Sequence, residues 1–235
     1  MITLYQFPRM MGLPNPSAFC IKAETLLRMG NIPYEIVFEN NPAKGPKGKF
    51  PAIRDGEQFI GDSSLIYKHL QQQHDLNLDE HLSGEQQAVA HAFSKLLEEH
   101  LYWPILYSRW QDPNHSHHTK RAFKATMPAF IFPLIWRIAS KSTIKQIHAQ
   151  GTGRHSSEEI YQFGCDAVEA VATYLDDKPY FMGDKVSAID ASIFAFIVLL
   201  LDAPHQDPMS LLARQKENLK AYCERLKAAY FSDLS

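Results

Sequence analysis

The sequence predicts an α/β unit followed by an all-helical region. Residues 2–39 read as strand, helix, strand; Asp55-Gly56 separates two short strand-like runs; and strand signals nearly vanish from Gly84 onward.

ITLYQF at 2–7 is short, apolar and aromatic, as a strand should be. Over 17–30 the period changes. Phe19, Ala23, Leu26 and Leu27 share one helical face, Lys22 and Arg28 are expected outside it, and Gly30-Asn31 supplies the stop. YEIVFE at 34–39 is the second strand, and a strand, helix, strand unit of this length favours a parallel pair with a crossover helix. NNPAKGPKGKFP is built of turn formers and lysines and predicts no regular element. Ala52–Arg54 and Gln58–Gly61 are short strands joined by the Asp55-Gly56 turn. A helix from Ser63 to Gln72 closes the unit.

Helices are expected at 84–110, 119–148, 157–176, 187–202 and 209–230, with Pro104, Pro128 and Pro133 kinking or interrupting the first two. Ser156 with Glu159, and Ser187 with Asp190, fit capping boxes, which makes Asp190 a folding residue before a catalytic one. The boundary between the two parts is expected in QQHDLNLDEHL, giving units 1–76 and 77–235.

The composition, 45% hydrophobic and 21% charged over 235 residues, is that of a soluble globular protein. A net charge of -2 favours neither nucleic acid nor anionic lipid as a partner of the whole surface. The start, MITLYQFPRMM, lacks a signal-peptide pattern, so a cytoplasmic location is expected. The most apolar run, Ile193 to Leu201, spans about half of the roughly 20 residues a membrane helix needs and reads as a core helix. Cys20, Cys165 and Cys223 form an odd set without a close pair, which argues against a disulfide scaffold. No zinc spacing stands out, and no metal is expected. His115, His117 and His118 read as a solvated cluster in a polar linker.

Several separated stretches carry a resemblance. LYQFPR with NPSAFCIKAETLLRMGNIPYE, then KGKFPAIRDGEQFIGDSSLIYKHL, then GTGRHSSEE, KPYFMGDKVSAIDASIFA and NLKAYCERLKAAYF together resemble the glutathione transferase superfamily, in its metaxin-like and failed-axon-connections-like branch. The resemblance implies an α/β thioredoxin-like N-terminal domain followed by an all-α helical C-terminal domain, with glutathione as cosubstrate.

It also implies residue roles. Pro51 stands at the family's cis-proline, and the backbone of Phe50 would pair with the cysteinyl part of glutathione. Asp62 and Ser63 stand at the acidic-serine pair: the helix N–H groups and the Ser63 hydroxyl would take the γ-glutamyl carboxylate, and the Asp62 side chain would face the ammonium end. Asp in place of the usual Glu shortens that reach.

Ser17 leads the candidates for thiolate stabilisation. Its hydroxyl would donate to the glutathione sulfur and, with the helix N-terminus, lower a thiol pKa that is about 8.5 when free. A bland alternative makes Ser17 or Asn15 only a helix cap. Tyr5, near the end of the first strand, is the rival thiolate stabiliser. Cys20 occupies the second position of a dithiol-like motif whose first position is Ser17, so the usual dithiol cycle is missing and an inert thiol is the simpler reading. Arg9 and Asn15 could orient ligand groups or serve the surface; Lys44, Lys47 and Lys49 could attract an anion or form a solvated loop. Phe93, Leu97, Leu101, Tyr102, Trp103 and Trp110 are the pool for an apolar interdomain wall.

The expected function is conjugation of glutathione to a small hydrophobic electrophile by a homodimer. The alternatives are a noncatalytic glutathione-binding or interaction module and, less favoured, a glutathione-dependent thiol reductase.

Overall fold

The computed structural model describes residues 1–234. Four strands, β1 (Ile2–Gln6), β2 (Tyr34–Phe38), β3 (Ala52–Asp55) and β4 (Gln58–Gly61), form one sheet in the order β2-β1-β3-β4. β1 runs parallel to β2, Leu4 opposite Ile36, and antiparallel to β3, Leu4 opposite Ile53. The parallel pair requires a crossover, which is α1 (Ala18–Met29). The β3–β4 hairpin turns at Gly56, whose φ of 56° suits a residue without a side chain. α2 (Ser63–Gln73) follows directly.

The rest is helical: α3 (Gly84–Lys95), α4 (Tyr102–Trp110), α5 (Ser116–Lys124), α6 (Phe132–Gln150), α7 (Ser157–Leu175), α8 (Ala188–Asp202), α9 (Pro208–Gln215) and α10 (Glu217–Tyr230). This is the expected α/β unit followed by helices. α8 is buried from Ala188 to Leu200 and packs against α1, α3, α9 and α10. Burying each large apolar side chain contributes about 1.5–3 kcal/mol, and across the contact between the two parts of the chain the buried Phe196 of α8 packs edge-on to Phe19 of α1, ring centroids 5.8 Å apart. Gly164 allows α7 to approach α9, because a Cβ there would lie 2.1 Å from Met209 Sδ. Among the described residues no helix is long and apolar enough to cross a membrane.

Three helix boundaries differ from the sequence expectation. The helix expected at 84–110 contains a π-helical stretch, Leu96–Leu101, in which Tyr102 N–H reaches Leu97 O. Pro104 lies three residues beyond it in the first turn of α4, so the wider turn occurs where proline would otherwise interrupt regular helical bonding. The expected 119–148 helix is two helices separated around Pro128, and Pro133 starts α6 rather than kinking it. The expected 209–230 helix breaks at Lys216, whose extended φ and ψ of -91° and 102° end α9 and begin α10. No glycine or proline marks that break in the sequence.

Side-chain partners also depart from the helical pattern. Lys22, expected outside the apolar face, is buried, and its Nζ lies 2.5 Å from Glu98 Oε1 across the junction between α1 and the π-helical stretch. Burial opposes ionisation of Glu98, but Lys22 and Lys95 outweigh it and hold its carboxyl below the usual range. Glu24, fully buried, accepts from Gln6 Nε2 at 2.8 Å, Arg9 Nη2 at 2.7 Å, Arg28 Nη2 at 2.9 Å and Tyr34 Oη at 3.0 Å. One carboxylate thereby joins β1, the loop after it, α1 and β2.

Candidate functional site

The loop from Phe7 to Pro16 delivers Ser17 to the start of α1. Arg9 is bonded to Glu24 and to Pro14 O. Asn15 is fully buried, its Nδ2 donating to Phe7 O at 2.7 Å and its Oδ1 accepting from Ser17 N–H at 3.1 Å. Through these contacts both side chains hold the loop. From the helical part, Arg109 of α4 donates Nη1–H to Pro16 O at 2.7 Å.

Ser17 is the N-cap of α1; its Oγ accepts from Cys20 N–H at 3.4 Å. The cap and the helix N-terminus favour negative charge near that hydroxyl. Cys20 lies one turn inward with no exposure, and burial pushes its thiol up to about 12 although hydrogen bonds from Ser17 and the Phe7 backbone oppose the rise. That environment disfavours a thiolate. Tyr5 is half-buried and makes an edge-on contact with Phe59, ring centroids 5.3 Å apart. Cys20, Phe50 and Ala52 form a small apolar cluster with Tyr5, Phe7 and Phe59 packed against it. Residues far apart in sequence therefore meet beneath the start of α1.

The Phe50–Pro51 bond is cis. β3 begins immediately after it, and its pairing of Ala52 with Gly61 brings Pro51 alongside Asp62, whose N–H donates to Pro51 O at 3.4 Å. Asp62 has φ 87° and ψ 123°, an uncommon conformation for a residue with a side chain. Its Oδ1 accepts from Ser64 N–H at 2.9 Å and Leu65 N–H at 3.2 Å. Thus Asp62 is the N-cap of α2. Ser63, the first helical residue, is nearly buried at 3% exposure, and the two N–H groups after its own are already satisfied by Asp62. Its N–H and hydroxyl remain the donors suited to a carboxylate at this helix end.

A cavity of about 780 Å³ runs between α2 and α3 and is lined by Lys22, Ser64, Tyr67, Gln87 and Lys95 among others. Ser17, Tyr5 and Phe50 do not line it. It adjoins the Ser63 end of the candidate site rather than the Ser17 end. From the aromatic pool, Tyr102 packs edge-on to Phe19 at 5.1 Å and Trp110 stacks on Trp136 at 5.1 Å, while Leu97 and Leu101 are committed to the core and Phe93 packs on Phe181. The turn between α5 and α6 reaches the end of β2, where Asn40 Nδ2 donates to Thr126 O at 3.3 Å.

Sequence reasoning missed Arg109. Burial pushes its guanidinium down to about 10, against the pull of Asp207 and Tyr102, and its Nη2 is buried without a partner. Helical spacing alone placed it among ordinary positions. It also missed Asp55, His69 and His74, whose ligand atoms all lie within 4.8 Å of one another and could hold a metal ion. The histidine linker is less solvated than expected: His118 packs near buried His205, whose ring accompanies Thr119 Oγ1 at 3.2 Å. Burial drives the His205 imidazole down to about 2. Lys44 pairs with Glu39 at 2.5 Å, and Lys47 and Lys49 are exposed.

Comparisons with known proteins agree with this architecture. The glutathione S-transferase N-terminal domain family matches residues 18–115, and the glutathione S-transferase C-terminal domain family matches residues 164–226. The chain is 34% identical over 244 residues to an isoprene-epoxide–glutathione S-transferase of Rhodococcus sp. (strain AD45), covering 98% of this chain and 99% of that protein. It is 32% identical to Failed axon connections of Drosophila melanogaster and 28% identical to human metaxin-1, but spans only 58% and 49% of their lengths. Among solved structures, the beta-etherase LigF of Sphingobium sp. strain SYK-6 superposes with a TM-score of 0.67 at 17% identity, over 99% of this chain and 98% of that one. A glutathione transferase of Phanerochaete chrysosporium does so at 0.68 and 16% identity, over 97% and 96%. From its sheet order, its helical half and these matches, the chain belongs to the glutathione S-transferase superfamily, in the branch that includes the metaxin-like proteins.

Proposed function

We propose that this protein binds glutathione and stabilises its thiolate for attack on a small hydrophobic electrophile. The observation that carries the reading is the meeting of two helix starts, Ser17 capping α1 and Asp62-Ser63 opening α2, on either side of Phe50–Pro51. In this reading residues 1–76 hold glutathione and residues 77–235 supply the electrophile side. Ser63 N–H and Oγ take the γ-glutamyl carboxylate, and the Asp62 oxygen not engaged in the cap faces the ammonium group. The Phe50 backbone pairs with the cysteinyl residue.

Ser17 donates its hydroxyl hydrogen to the glutathione sulfur. A serine hydroxyl is no strong base, so the proton leaves to water while the hydrogen bond and the α1 N-terminus favour the anion left behind. The buried guanidinium of Arg109, bonded to the carbonyl next to Ser17, adds positive potential at the same place. The thiolate then forms a carbon–sulfur bond as the electrophile's leaving atom takes the electron pair. Burial and a raised pKa leave Cys20 a packing residue, and they weigh against the thiol-reductase alternative. Tyr5, half-buried against Phe59, remains the alternative donor to sulfur.

Calorimetric titration of glutathione, paired with conjugation assays on a panel of epoxides and aryl halides, tests the reading. Ser63→Ala should weaken binding, and Ser17→Ala should lower turnover with binding retained. Absence of glutathione binding at millimolar concentration would sink it. The similarity to Failed axon connections and metaxin-1 favours a second reading, a noncatalytic glutathione-binding or protein-interaction module. Stable capture of a protein partner with no conjugation across the panel would select that module. A homodimer in the cytoplasm belongs to the leading reading, tested by sedimentation equilibrium and cell fractionation.

A further inference from the structure

We propose that Asp55, His69 and His74 form a divalent transition-metal site, separate from the glutathione site, with zinc as the ion its donor set suits. The residues come from two elements. Asp55 ends β3 at the hairpin turn, His69 lies in α2, and His74 is the C-cap of α2.

His69 Nε2 is 2.8 Å and His74 Nε2 is 2.7 Å from the same oxygen, Asp55 Oδ2. The rings are tilted by 59° with centroids 6.0 Å apart, so they converge on the carboxylate without stacking on each other. Such convergence is not a product of helix spacing. Residues five apart on an unbroken α-helix point about 140° away from each other. Here the chain leaves the helix at His74, with φ -128° and ψ 14°, and Asp75 follows at φ 51°. That change of direction turns the second imidazole back toward the first.

Two imidazoles and one carboxylate form a donor set used for zinc and other first-row ions, and hard magnesium or calcium would not choose it. Zinc to nitrogen and oxygen distances of about 2.0–2.2 Å place neighbouring ligands of a tetrahedron about 3.3 Å apart. Each histidine nitrogen therefore needs to draw back from Asp55 Oδ2 by about half an ångström, and the two nitrogens, which lie within 4.8 Å of each other, need to reach the same separation. Metal binding takes the Nε2 lone pair, so in each ring the proton would sit on Nδ1 with Nε2 turned to the ion. The His69 side chain is only 8% exposed, whereas Asp55 and His74 are 22% and 29% exposed. This leaves a fixed inner ligand and a wet outer side where water can complete the coordination. Among the described residues this is the cluster of three or more His, Cys, Asp or Glu whose ligand atoms converge so closely. A bound ion would clamp the β3–β4 hairpin to the end of α2.

The full chain, stripped with a chelator and checked by circular dichroism, is titrated with zinc chloride in competition with a chromophoric chelator. One equivalent is expected, together with a rise in melting temperature that magnesium does not reproduce. His74→Ala and Asp55→Asn should each weaken zinc binding by about tenfold or more. His117→Ala with His118→Ala should leave it unchanged. Binding without stoichiometry, or an equivalent that persists in folded His74→Ala and Asp55→Asn, overturns the proposal. Should those variants fail to fold, cobalt(II) on the wild-type chain gives an independent readout. Visible d–d absorption of a low-coordinate, imidazole-ligated ion supports the site, and a spectrum like that of aqueous cobalt overturns it.

Discussion

Replacing Asp190 by Ala should be among the most costly single changes in this chain. The carboxylate is fully buried at the start of α8 and accepts four hydrogen bonds: Phe181 N–H at 2.8 Å, Ser187 N–H at 2.8 Å, Ser187 Oγ–H at 2.9 Å and Tyr222 Oη–H at 2.7 Å. Truncation leaves all four donors without that acceptor. An unsatisfied buried donor costs about 1–3 kcal/mol, and the two backbone N–H groups cannot rotate away as the hydroxyls can. They alone account for about 2–6 kcal/mol. Removing the carboxylate also removes its own desolvation cost, the burial that raises its carboxyl above the usual range. The net loss should therefore be about 3 kcal/mol, or about 6–12 °C in melting temperature for a chain of this size. Asp190→Asn should lose about half as much, because its carbonyl keeps one acceptor while its amide presents hydrogens to a ring of donors. Urea titration followed by circular dichroism checks both, with the midpoint falling and the slope unchanged. A loss below about 1 kcal/mol for Asp190→Ala would refute the assignment of this carboxylate as the organiser of the α8 start.

Two further outcomes follow from the ionisable groups. Glu98 has a folded-state pKa below its unfolded value, so its contribution is complete above about pH 4.3 and is lost as pH falls through the folded value. Glu98→Gln should lower stability at pH 7 by leaving Lys22 buried and unpaired, and should flatten the acid limb of the stability curve; an unchanged limb would contradict the Lys22–Glu98 pair. Cys20 and Cys223 are buried with raised thiol pKa values and Cys165 is half-exposed, so an aromatic disulfide reagent at pH 8 should label at most Cys165 in the folded chain and all three thiols after unfolding. Rapid labelling of folded Cys20 would return it to the chemistry.

Much of this protein was legible from local pattern. Strand and helix order, the Asp55-Gly56 hairpin, the apolar core helix around Ile193 and the Ser156–Glu159 capping box each depend on neighbours within a few residues, so spacing alone encodes them. Ser17 and Ser63 were found for the same reason: a helix start is a local event. The break at Lys216 was not legible, because no glycine or proline enforces it and packing of α9 and α10 decides it. Lys22 looked solvent-facing because helical periodicity describes one helix, whereas its partner Glu98 lies 76 residues away.

The sequence by itself determined an α/β unit, its helical continuation, and the residue types at two helix starts. Only the tertiary structure decided that Arg9 and Asn15 brace the loop, that Arg109 reaches across from α4 to the carbonyl beside Ser17, and that Asp55 meets two histidines. The physical reason is range. Backbone propensity and hydrophobic period act over a few residues, while buried charges are governed by which partner lies within about 3 Å once the chain has folded.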